Sequence, residues 1–175
     1  ETIQGYQTDL DIEDFKKNVE KDGLSIMSQT ASICPADKKI YDLRHRTNTV
    51  ASLPLICGSI MSKKIASGIQ GLVLDIKLGS GAFMKSLDQA KELGCLLKKI
   101  GEQYKLNVSI NITDMNQPLG RACGYWCEVK ESIDCLKGYG PSDLMNVVYY
   151  LGTQALNIAG ISNARAHLNN VITDG

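Results

Sequence analysis

The 175-residue chain is 43% hydrophobic, enough to bury one sizeable core and too short to argue for two domains. Lys plus Arg and Asp plus Glu stand at 19 each, so no global field selects for nucleic acid, an anionic membrane or an acidic partner. No apolar run reaches the ~20 residues of a membrane span, and ETIQGYQTDLD has neither the basic nor the apolar part of a secretion signal.

Taken in chain order, Ile12, Phe15 and Val19 recur at helical spacing behind Asp9 and Asp11, which predicts a helix over about 11–21 that stops at Lys21-Asp22-Gly23. GLSIMSQ then reads as a short strand. SICPADKK brings a proline suited to a helix first turn, and the helix it opens is expected to run from Pro35 or Ala36 to Val50. SLPLICGSIMSKKIASG repeats the device, with Ser52 as cap, Pro54 in the first turn and Leu55, Ile56, Ile60 and Ile65 on the buried side.

GLVLDIKL hardly alternates and reads as a fully buried parallel strand, left through the loop GSGAF. Ser86 opens a strongly periodic helix through Ala90, Leu93, Leu97, Ile100 and Tyr104, and VSINIT, 108–113, is the next strand. The polar loop DMNQPLGRACG leads to a helix with Trp126, Val129, Ile133 and Leu136. GYGPSDL starts another, and Ser162 is placed as the cap of a last short one. Strands alternating with helices define an α/β class, a mainly parallel sheet flanked by helices in one domain. Ligands of such sheets bind beyond the carboxyl ends of the strands, which selects the loops after Ser28, Leu78 and Thr113.

Within that frame the chemistry-bearing residues are few. At ~100° per residue, Ser59 and Lys63 lie about 40° apart on one helix face while Lys64 turns away. Both lysines are equally readable as solvated groups at a helix end. Tyr41 and Arg44 share a face three residues apart, a phenol beside a planar donor fork that suits a carbonyl-rich ring or an anion, or simply a solvated face with His45 and Arg46. The glycines of GSG permit a close backbone approach to a ligand or form a plain turn, and Phe83 beyond them is an apolar wall or a core residue. Asp75, inside a strand, needs a partner such as Lys77. The six cysteines form no CxxC pair and read as reduced thiols; Cys123 and Cys127 read as structural. His45 and His167 have no triad pattern around them.

The run PADKKIYDLRHRTNTVASLPLICGSIMSKKIASG, then LVLDIKLGSGAFMK, ITDMNQPLGRA and EVKE, resembles the pyrimidine nucleoside phosphorylases, the family that includes thymidine phosphorylase, over residues 1 to 160. The resemblance implies most of the large α/β domain of a two-domain homodimer, and the absence of secretion and membrane signals sets the expectation of a cytoplasmic location. Such an enzyme splits pyrimidine nucleosides with phosphate as co-substrate, giving free base and a sugar 1-phosphate, without an organic cofactor. It implies that Arg44, Ser59 and Lys63 hydrogen-bond the pyrimidine, with Arg44 and Lys63 stabilising the departing base, and that Tyr41 and Phe83 line the base pocket. It also implies a potassium ion held at Leu119, Ala122 and Glu131.

Two departures accompany it. His45 and Ala51 stand where the family usually has acidic residues. The family's phosphate-binding lysine and serines, its SGR segment and its TGGT loop belong before the matched region, and its small helical domain has no counterpart here. The chain, which begins with Glu1 rather than Met, is therefore expected to be a piece of a longer protein and inactive by itself. The rival readings are a nucleoside-monophosphate phosphorylase, which needs a further phosphate site, an anthranilate-type phosphoribosyltransferase, whose glycine and acidic motifs are not found, and a non-catalytic binding protein on the same scaffold.

Overall fold

A computed structural model describes residues 2–28 and 33–174. The chain divides into two compact units, residues 1–48 and 49–175.

The first unit holds two helices. α1, Ile12–Asp22, starts where the Asp11 carboxylate accepts the Asp14 N–H at 2.8 Å and ends on Gly23 in the left-handed region, so both ends meet the expected signals. α2, Pro35–Arg46, stops four residues short of the expected Val50. Asn48 takes a left-handed φ of 54°, and the Thr47 hydroxyl folds back onto the Leu43 carbonyl at 3.0 Å, which together end the helix. The strand expected at GLSIMSQ is absent from its described residues: Leu24 and Ile26 are exposed, and one backbone bond, from Ser28 N–H to the Thr8 carbonyl at 2.7 Å, replaces a ladder. The loop after Ser28, expected as a ligand loop, lies mostly outside the described residues.

The second unit is a strand–helix–strand core with helices around it. β1, Gly71–Leu78, and β2, Asn107–Asp114, pair in parallel from Gly71 opposite Asn107 to Leu78 opposite Asp114. α4, Leu87–Gln103, crosses between them, its first turn capped by Ser86 Oγ on the Gln89 N–H. α4 packs on both strands and on α3, Leu53–Ala66. Gly94 faces the sheet so closely that a methyl group there would meet Ile110 Cγ2 at 2.8 Å, so the helix needs glycine at this contact. Cys57 and Met61 of α3, Ile76 of β1, Met84, and Ala90, Leu93 and Leu97 of α4 form the buried cluster. Burial pushes the Cys57 thiol up, as a thiolate in that apolar cluster would be poorly solvated.

α5, Tyr125–Leu136, follows the loop after β2; α6, Ser142–Ile158, packs on the strands, and α7, Ala164–Asp174, packs on α6. α7 begins after Asn163, whose left-handed φ of 57° makes the turn in place of the expected Ser162 cap. Ser52 sits at the cap position of α3 without a side-chain cap bond, and Pro54 at the second position removes one of the N–H groups it could have accepted. All six cysteines are free; Cys57 is buried, whereas Cys123 and Cys127 are exposed, which leaves no packing role visible for the last two.

The sheet corrects one sequence expectation. β1 was expected to be apolar on both faces, yet its register sets Val73, Asp75 and Lys77 beside Ser109, Asn111 and Thr113, giving the face opposite the apolar one a polar ladder. The Thr113 hydroxyl donates to Asp75 at 2.6 Å and accepts from the Lys77 ammonium at 2.9 Å, while Lys77 also pairs with Asp75 at 2.7 Å. Buried Asn111 donates to the Leu74 carbonyl, so each polar group on this face has a partner. Thr113→Val keeps the shape and removes the linking hydroxyl; it is expected to lower stability by about 1.5–3 kcal/mol in denaturant titration, the range for hydrogen bonds to charged groups.

Candidate functional site

The helical period of α3 brings Ser59 and Lys63 together as expected. The Lys63 ammonium donates to Ser59 Oγ at 3.0 Å, both residues are half-buried, and Lys64 is exposed. Restricting a flexible four-carbon side chain in this way fixes the position of its charge before any ligand arrives.

On α2, in the other unit, the Arg44 guanidinium lies 5.3 Å from the centre of the Tyr41 ring, and Tyr41 meets His45 edge-on at 4.9 Å between ring centroids. Arg44 is buried to 4% exposure, unusual for a residue that stays charged at all working pH, and so the solvated-face reading fails for it. His45 takes a structural part in this stack.

At the carboxyl ends of the strands, two loops are fastened to each other. The Met115 N–H donates to the Leu78 carbonyl at 2.7 Å, Gly81 N–H to the Met115 carbonyl at 2.9 Å, and Ser80 N–H to Asn116 Oδ1 at 2.9 Å. Ser80, Gly81, Met115, Asn116, Gln117 and Pro118 line a cleft of about 350 Å³ between them. The glycines of GSG serve this fastening: with φ at 137°, Gly79 would carry a Cβ 2.9 Å from the Asn116 nitrogen, so the close approach of the neighbouring loop requires glycine here. Phe83, at the end of the same loop, is 66% exposed and is not a core residue.

Further along, the loop before α5 is pinned by carboxylates. Glu131 Oε1 accepts the N–H groups of Arg121 at 2.9 Å and Ala122 at 3.1 Å, and Asp143 Oδ2 accepts that of Gly120 at 3.0 Å. The Gly120 N–H holds the Asp143 carboxyl below its usual range, helped by the Leu144 N–H at the start of α6. Leu119, Ala122 and Glu131 thus share one small region. Among the described residues no group of three His, Cys, Asp or Glu side chains is arranged to hold a metal. An ion there would rely on backbone carbonyls beside one carboxylate, an all-oxygen set that fits a hard cation.

Sequence reasoning did not single out Asn116. Its signal was present in Asp114-Met115-Asn116, an acceptor two residues before an amide at a strand end, the pattern of a side-chain-stabilised turn.

A parallel strand–helix–strand unit with its loops fastened at the carboxyl edge defines an α/β scaffold of the kind that binds small ligands at that edge. The model of the glycosyl transferase family, a/b domain, matches residues 1–175, and the chain belongs to that family. The pyrimidine-nucleoside phosphorylases of Staphylococcus haemolyticus (strain JCSC1435) and Staphylococcus aureus (strain USA300) are each 46% identical to it over 179 aligned residues, with 100% of this chain and 41% of theirs covered. The chain thus spans about two-fifths of the length of these curated relatives.

Proposed function

We propose that the protein to which this chain belongs carries out phosphorolysis of pyrimidine nucleosides, and that the chain supplies residues recognising the base. The observation that carries this reading is the half-buried Lys63 held on Ser59 at 3.0 Å, in a sequence 46% identical along its whole length to proteins named pyrimidine-nucleoside phosphorylase.

In that reaction the bond between the sugar anomeric carbon and the base nitrogen breaks with its electron pair going to the base. The sugar gains oxocarbenium character, and a phosphate oxygen forms the new bond to the same carbon. Negative charge spreads from the ring nitrogen to the ring oxygens as the bond lengthens. A fixed ammonium beside a ring oxygen therefore gains more in the transition state than in the ground state, which is the condition for raising kcat. Ser59 accepts from Lys63 and so holds the ammonium in place. Arg44 offers a permanent charge and a planar fork toward carbonyl oxygens, with Tyr41 beside it, and Phe83 offers a flat apolar wall.

Phosphate is the proposed co-substrate, no organic cofactor takes part, and a homodimer in the cytoplasm is the proposed setting. A potassium ion at Leu119, Ala122 and Glu131 would supply a fixed positive charge that organises this loop. No helix among the described residues is long and apolar enough to cross a membrane.

The test is release of uracil or thymine from uridine or thymidine by the intact protein. Release is expected in the presence of phosphate and absent without it. Turnover of nucleoside monophosphates in preference to nucleosides would instead favour the monophosphate-specific rival.

A further inference from the structure

We propose that Asn116 is a positioning residue for the base wall, acting through the loop that ends in Phe83. The proposal rests on the reading above, in which Phe83 faces the pyrimidine.

The loop leaves β1 at Gly79 and is closed on itself by Gly79 N–H to the Met84 carbonyl and Ala82 N–H to the Gly79 carbonyl, each at 3.1 Å. Ala82 and Met84 are buried on either side of Phe83, so the alternation of the backbone turns the ring outward. A ring 66% exposed loses apolar contact unless a flat ligand covers it, and covering it usefully requires its height and tilt to be fixed.

Beside the backbone bonds of Met115, Asn116 is the residue whose side chain ties this loop to the end of β2. Its Oδ1 accepts the Ser80 N–H, its Nδ2 donates to the Asp114 carboxylate, and its own backbone N–H donates to Asp114 at 3.3 Å. Ser80 Oγ adds a longer bond to the Asn116 carbonyl at 3.4 Å. The amide has one usable orientation, because flipping it would set an NH2 against the Ser80 N–H and an oxygen against a carboxylate. β2 thereby dictates the path of the β1 exit loop across a span of 36 residues in sequence. A residue needed only for stability would not care what Phe83 does.

The experiment is a double-mutant cycle in the intact protein, read as KM for nucleoside and KM for phosphate alongside thermal unfolding. Asn116→Ala is expected to raise the nucleoside KM about tenfold and to leave the phosphate KM within twofold. In a Phe83→Ala background the same substitution is expected to change the nucleoside KM by less than twofold, since there is no ring left to misplace. If Asn116→Ala does not fold, Asn116→Ser, which removes the amide and keeps a small polar side chain, runs the same cycle. Full, additive effects of the two substitutions, or equal rises in both KM values, would overturn the proposal while leaving the phosphorolysis reading intact. An intact wild-type protein without nucleoside phosphorolysis would overturn both.

Discussion

Lys63→Ala in the intact protein is expected to lower kcat/KM for pyrimidine nucleosides by about 10²–10³, the usual loss on removing one fixed group that stabilises transition-state charge. Lys64→Ala is expected to stay within about twofold. The two residues are adjacent and chemically identical, so any contrast must come from placement: Lys63 is half-buried on Ser59 at 3.0 Å, and Lys64 faces solvent. The loss should fall mainly on kcat, because the charge being stabilised develops only as the glycosidic bond breaks. Equal losses at the two positions would remove Lys63 from the site.

The second large effect is on stability. Leu97 is 1% exposed and lies in the buried cluster with Met61, Ile76 and Leu93, where α4 meets α3 and the sheet. Leu97→Ala should destabilise the protein by about 2–5 kcal/mol in denaturant unfolding, the sum of lost transfer free energy and an unfilled cavity. Lys98→Ala, one residue on and exposed, should stay within about 0.5 kcal/mol. A small effect at Leu97 would mean that α4 does not organise the core as described.

Much of the fold was legible because its signals are local. The α4 periodicity and the β1 run gave elements at 87–103 and 71–78 that match the expected stretches closely. The end of α2 was missed because the left-handed Asn48 competes with a helical pattern that continues in the sequence. The strand expected at GLSIMSQ does not form among its described residues, because apolar residues alone do not provide a pairing partner.

At the site, the Ser59–Lys63 contact followed from helical geometry, and the Lys77 partner of Asp75 was foreseen. The burial of Arg44 was not readable from its helix, and the Asn116 fastening depends on two loops brought together only by folding. The polar face of the sheet was also hidden. Val73 and Ile76 suggest apolar sides in the strand, and only the register with Ser109, Asn111 and Thr113 reveals which face is which.

Transfer of the pentosyl group from the base to phosphate is the central claim, and product analysis tests it most directly. The intact protein, incubated with uridine or thymidine and inorganic phosphate, is expected to give equal amounts of free pyrimidine and a pentose 1-phosphate, with the phosphate resonance moving accordingly in ³¹P NMR. Free base without a sugar phosphate, or no base at all, would contradict it.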